Sequence, residues 1–461
     1  MMKRIFNKKR FKLIPIILSL LVLVGAFAAC SKKEETQTTQ AQITTAVTQT
    51  AAQTKDVDID LEGATKVTLN DTSIRVDGSG AKAEGSTLII SSGGTYLVSG
   101  MLKDGSIVVD ADGEEVNIAL NGADITCSSS SAIYVYEAKA ALLYLVEGSS
   151  NTLSDGSTYT YKDSYSNQTE EEPNACLYAK DDLTIAGSGA LKVTGNYNNG
   201  IVSKDTLSIE SCSLSVTANN NGINGKDSLS IQKATVSVTA NGDALRSTND
   251  TDSACGSISI ASSTVKIDAD EDGIQAQTDI SISGGKLTLE TGDDGIHAAN
   301  NVQIASGTLS IQAGDDGIHA DNTMTIDGGT FTISAREGLE GTVVTMNDGT
   351  MTIDASDDGI NAGQKVSGVT PTVTINGGKL TITMAQGDTD GIDSNGDIIV
   401  NGGTVDISGQ SGFDYDGKGE LNGGTVTVNG EKQTELVNQF AGGMGGGPGD
   451  MQGGMGGPGG M

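Results

Sequence analysis

The chain has 461 residues, a formal net charge of −31, 63 glycines, 3% aromatic residues and no tryptophan. So negative a chain excludes nucleic acid and anionic lipid as partners recognised by charge, and it attracts cations instead. Sparse aromatics beside abundant glycine argue against an ordinary globular core and for strands joined by many tight turns.

In chain order, the first element is a leader. Residues 1–12 carry six Lys or Arg, residues 13–24 are almost wholly apolar, and small residues lead to Ala28-Ala29-Cys30. This order is that of a secretory signal. Its end resembles the lipobox of bacterial lipoproteins, although Phe27 stands where Leu is usual. The resemblance implies that residues 1–30 are a lipoprotein signal, that Cys30 is lipidated, and that the mature chain is anchored to the outer face of the cell membrane. Residues 31–55, rich in Thr, Gln and Ala without a period, read as a solvated tether.

Residues 56–430 repeat. Asp294-Gly295-Ile296-His297-Ala298 returns as Asp316-Gly317-Ile318-His319-Ala320, and variants of the phrase stand at Asn221, Asp272, Glu337, Asp358 and Asp390, with a degenerate copy at Asp243. Spacings are about 22 residues, except where Asn249–Ala254 and Gln364–Thr370 intervene. Within a unit, segments such as Val302-Gln303-Ile304 and Leu309-Ser310-Ile311 alternate with a period of two, as strands do. Gly-Gly pairs such as Gly284-Gly285 and Gly377-Gly378 punctuate them. Three short strands per roughly 22 residues predict an all-β parallel β-helix of about 15 coils, since one coil cannot bury its apolar face and a stack can. Asp155–Pro173, with three tyrosines and three consecutive glutamates, reads as a loop extruded from that stack, either walling a ligand groove or decorating the rod.

Stacking has an electrostatic consequence. Asp243, Asp272, Asp294, Asp316, Glu337, Asp358 and Asp390 would form one acidic column, with Glu271, Asp293, Asp315 and Asp357 beside it and Asp270 and Asp388 adding to the same turn. Carboxylates about 4.8 Å apart repel by several kcal/mol at an effective dielectric of ~20. A hard cation with oxygen ligands at about 2.3–2.6 Å can bridge neighbouring rungs, and Ca2+ fits better than Mg2+. The simpler reading is a solvated acidic edge whose Asp-Gly pairs are only good turns. The two histidines, His297 and His319, share one slot in consecutive coils with Arg246, Gln275, Glu340, Asn361 and Asp393. That slot reads as an outward polar stripe, with transition-metal binding as the alternative. Cys127, Cys176, Cys212 and Cys255 form no CxxC pair and are expected to be buried core thiols. Residues 431–461, rich in Gly and Met towards the end, read as a flexible tail.

The Asp-Asp-Gly-Ile-His-Ala phrases, Gly-Gly turns, lipobox and Gly/Met tail together resemble bacterial carbohydrate-binding lipoproteins of the pectate-lyase-like β-helix type. That resemblance implies a right-handed helix, calcium in the acidic turns, and binding of acidic or plant-wall polysaccharide without cleavage. Asp293, Asp294, Asp315, Asp316, Asp357 and Asp358 match the motif best. Asn198-Asn199, Asn220-Asn221 and Arg336-Glu337 depart from it, the last placing a cation inside the ladder.

Three functions follow. A surface binding module would use calcium to join an acidic protein to an acidic polymer. A pectate-type lyase would need a base, for which Arg336 is the candidate. A non-sugar adhesin or calcium-dependent structural rod would bind cells or proteins but no glycan.

Overall fold

The structure, a computed structural model, describes residues 57, 59–161, 164–387 and 389–438. The leader with Cys30, the tether, Asp388 and the Gly/Met tail lie outside the described residues. Among the described residues every regular element is a strand, and the strands form a β-solenoid of about 15 turns, a parallel β-helix as expected.

Alternating sequence explains the inside and the outside. In Leu214–Ala218, within the strand Ser213–Ala218, every second residue is buried and the intervening ones face out. Each strand pairs in parallel with its counterpart one coil on, so like residues stack. Ile296 pairs with Ile318, Ile318 with Leu339 and Leu339 with Ile360. All four are at most 1% exposed. Such aliphatic columns fill the solenoid, each side chain contributing about 1.5–3 kcal/mol of burial.

Three details depart from a uniform coil. The stack ends in antiparallel hairpins: Thr65–Asp71 with Ser73–Asp77, Ala81–Glu84 with Thr87–Ile90, and Thr425–Val428 with Glu431–Lys432. These hairpins cover part of each terminal coil, while among the described residues Ser411–Tyr415 and Gly419–Leu421 pair with the preceding coil alone. Secondly, two of the three strands fuse into one in Ser257–Ala269, Ile280–Thr291 and Asn301–Gln312, where the bend between them keeps its ladder pairing. Thirdly, Ile360 pairs with Ile392 across Gln364–Thr370 and also across extra residues before Thr389, an insertion hidden by the spacing of the motif.

The two glycine signals have different causes. Gly284 and Gly285 sit at φ 81° and 96°, a left-handed bend that L side chains avoid. The glycine after the ladder acids from Asp272 onward has close approach as its cause instead, whereas Ala244 follows Asp243. A Cβ on Gly317 would lie 2.3 Å from Ile333 Cγ2 and 2.6 Å from the Gly338 carbonyl oxygen of the next coil. Gly317→Ala is therefore expected to cost about 1–3 kcal/mol through overpacking. Urea unfolding checks this, and an unchanged midpoint would show that the coils can part to admit the methyl.

Candidate functional site, a carboxylate ladder on one edge

The acids of this column line up on one edge, but they are not a solvated ridge. Asp243, Asp272, Asp294, Asp316 and Glu337 are buried, at 2–6% exposure, while Asp358 and Asp390 are half-buried. The reason is a hydrogen-bond chain. The Asp272 N–H donates to Asp243 Oδ1 (3.2 Å), Asp294 N–H to Asp272 Oδ1 (3.1 Å), and Asp316 N–H to Asp294 Oδ1 (2.9 Å). Asp390 N–H donates to Asp358 Oδ1 at 2.8 Å. One oxygen of Asp243, Asp272, Asp294 and Asp358 thus satisfies a backbone donor of the next rung, which if buried and unpaired would cost about 1–3 kcal/mol. Asn199 and Asn221 do the same in earlier coils, accepting the N–H groups of Asn221 (3.2 Å) and Asp243 (2.9 Å). The asparagine coils are therefore neutral rungs of the same ladder.

The second oxygen carries the charge, and protein cations meet it in several coils. Arg246 Nη1 lies 3.2 Å from Asp243 Oδ2. Lys365 Nζ lies 2.7 Å from Glu340 Oε1. Arg336 bonds Asp315 through Nε, Glu337 (2.7 Å) and Asp357 (3.0 Å) through Nη1, and approaches Asp316 (3.4 Å). Its guanidinium is held above its ordinary range by the Asp315 and Glu337 carboxylates, which outweigh the opposing effect of burial. The slot three residues after the acid faces away from the core but is only partly solvated: Glu340 is buried, and Arg246, Gln275, His297, His319, Asn361 and Asp393 are half-buried. Lys365, from an insertion, gave no repeat signal.

Elsewhere the charge is unmet. Asp293 is exposed, its carboxyl is pushed up by partial burial and by Asp294, Asp272 and Asp315, and no Lys or Arg pairs with it among the described residues. Oxygens of Asp272, Asp293 and Asp294 lie within 4.8 Å of one another, as do those of Asp294, Asp315 and Asp316. Asp270 stays exposed and outside both clusters. The residues fit Ca2+ in two respects: the donors are all carboxylate oxygens from adjacent rungs, and on the next rung the same space takes the Arg336 guanidinium, so it tolerates a positive group.

Away from the ladder, the loop after Asp155 folds back onto the solenoid. Seven of the ten tyrosines gather there. Tyr134 packs edge-on against Tyr136 and Tyr178, Tyr165 against Tyr136, and Tyr159 stacks on Tyr197 at 4.3 Å. Tyr161 O–H meets Tyr197 at 3.3 Å. Tyr136 and Tyr165 remain half-exposed, and Lys180 Nζ stands 4.7 Å over the Tyr136 ring. Cys127, Cys176 and Cys212 are buried free thiols; Cys255 is buried but is not one of them.

Burial pushes the Asp358 carboxyl up to about 7; the bond from Asp390 N–H opposes this, and Asp393, Asp357 and Asp390 reinforce it. A raised native pKa means that the folded state keeps this proton longer than the unfolded chain. Its contribution is present below the unfolded value of about 4 and is lost as pH rises through about 7. In chelator, the melting temperature should fall between pH 5 and pH 8. Asp358→Asn keeps the acceptor oxygen and removes the titration, so the fall should shrink. An identical pH slope in both proteins would refute this account of the rung.

Comparison with known proteins agrees with this architecture. The family described as "Carbohydrate-binding domain-containing protein" matches residues 84–341 and 294–435. A relative from Acetivibrio thermocellus with that same description is 39% identical over 126 residues, covering 27% of this chain and 43% of the relative, so less than half of that protein is spanned. A solved structure, titled as the polysaccharide lyase-like protein from C. thermocellum in a gadolinium derivative, has a TM-score of 0.50 at 30% identity. It covers 52% of this chain and 97% of its own.

Proposed function

The chain belongs to the carbohydrate-binding domain family, and from that premise we propose that it is a non-catalytic surface protein that binds acidic polysaccharide through calcium held on the ladder. The observation that carries this reading is the Asp272, Asp293 and Asp294 cluster, where three carboxylates converge with one of them exposed. A calcium ion there would satisfy part of its shell from the protein and leave positions for uronate carboxylates, so that like charges on protein and polymer meet through a shared counter-ion. The related solved structure is titled as a gadolinium derivative, and gadolinium, like calcium, is a hard, oxygen-seeking cation. Asp315, Asp316, Asp357, Asp358 and Asp390 are secondary candidates, with Arg336 competing for the first three.

The word lyase in that title raises catalysis as a second reading. The base would have to be Arg336, yet its guanidinium faces four carboxylates that hold its proton on. Proton abstraction requires the reverse. Binding is therefore the reading we favour.

Polygalacturonate beads should retain the full-length protein in calcium and release it in chelator. Asp293→Asn should weaken retention by about tenfold, as expected for a lost metal ligand or its close partner. Equal retention with and without calcium would sink the proposed bridge. Location is tested separately: Cys30→Ser should shift the protein from the membrane fraction to the medium, whereas an unchanged distribution would argue against a lipid anchor at Cys30.

A further inference from the structure

The only two histidines of the chain are register partners in consecutive coils. Their rings stack, with centroids 4.7 Å apart and planes inclined by 23°. Asp294 Oδ2 lies near both Nδ1 atoms, 3.6 Å from His297 and 3.5 Å from His319, while His297 Nδ1 is also 3.4 Å from Asp272 Oδ2. The other oxygen of Asp294 is already taken by the Asp316 N–H.

These separations exceed those of a good N–H···O bond, about 2.9–3.0 Å. They approach the edge of about 3.3 Å between two ligands bonded at about 2.0–2.1 Å to a tetrahedral centre. All three donor atoms lie within 4.8 Å of one another. His319 Nδ1 is also 3.2 Å from both Asp316 Oδ2 and Glu340 Oε2, but those acids have Arg336 and Lys365 as cationic partners. Asp294 has no ion-pair partner among the described residues except the two imidazoles.

We propose that Asp294, His297 and His319 hold one divalent transition-metal ion of the zinc, cobalt, nickel or copper class. Imidazole nitrogen suits these ions, whereas calcium takes oxygen. A set of two imidazoles and one carboxylate leaves a coordination position for water or a ligand oxygen. The proposal does not rest on the calcium reading, although Asp294 belongs to both clusters.

The test uses full-length protein without a polyhistidine tag, stripped with chelator and then kept in excess calcium so that oxygen-only sites are filled. Titration with Co2+ should give visible d–d bands saturating at one ion per chain. The Cu2+-loaded protein should show paramagnetic-resonance splitting from two nitrogens. His297→Gln and His319→Gln should each weaken uptake by at least about tenfold. If His319→Gln fails to fold, His297→Gln, at the more exposed ring, decides alone. Absence of cobalt bands, absence of nitrogen splitting, or uptake that survives loss of the imidazoles overturns the proposal and leaves the histidines as counter-charges for the ladder.

Discussion

In-register stacking is the constraint on which the rest of the structure depends. Parallel pairing places each side chain beside its counterpart in the next coil, about 4.8 Å away. Every position is then a column, and its chemistry is collective. Isoleucine columns become the core, as at Ile296, Ile318 and Ile360. Asparagine columns become amide ladders: Asn376 Nδ2 donates to Asn347 Oδ1 and Asn401 Nδ2 to Asn376 Oδ1, both at 2.8 Å. Only a column of acids carries a cost, because it repeats a charge at the same short interval.

The two oxygens of Asp243, Asp272, Asp294 and Asp358 divide the work. Oδ1 accepts a backbone N–H from the next coil, a task that asparagine performs equally well at 199 and 221. Replacing amide by carboxylate therefore leaves the scaffold intact and adds a charged oxygen at a fixed place. The protein offsets some of these charges itself, with Arg246, Arg336 and Lys365. The fold can thus alternate neutral, self-compensated and cation-seeking rungs without changing its backbone.

Much of the solenoid was legible in the sequence. A period of two in Leu309-Ser310-Ile311 gave the strands, and the recurrence of Asp-Gly-Ile gave the coil. The vertical alignment of Asp272, Asp294 and Asp316 followed from that recurrence and is present. Their burial was not legible. An Asp-Gly pair looks like an exposed turn, and only the coordinates show that the glycine is there to let a backbone approach and the aspartate to cap an N–H. The antiparallel ends escaped because the repeat is weakest there, and Lys365 because insertions obey no register. The tyrosine cluster escaped as well: Tyr134 and Tyr178 are stacked partners, yet Tyr165 joins them only through the path of the loop.

The arrangement bears on the kind of ligand such an edge can hold. At about 4.8 Å and an effective dielectric near 20, each uncompensated neighbour pair costs roughly 3–4 kcal/mol. A single small anion could relieve one rung at most, and weakly, since it brings its own charge. A polymer carrying a carboxylate on successive units can engage several cation-bearing rungs at once. After the first contact the others become intramolecular, and avidity rises without any new type of contact. A repetitive edge of individually modest sites is therefore matched to a repetitive ligand, and the same stacking that builds the core of this solenoid also sets the spacing at which it presents charge.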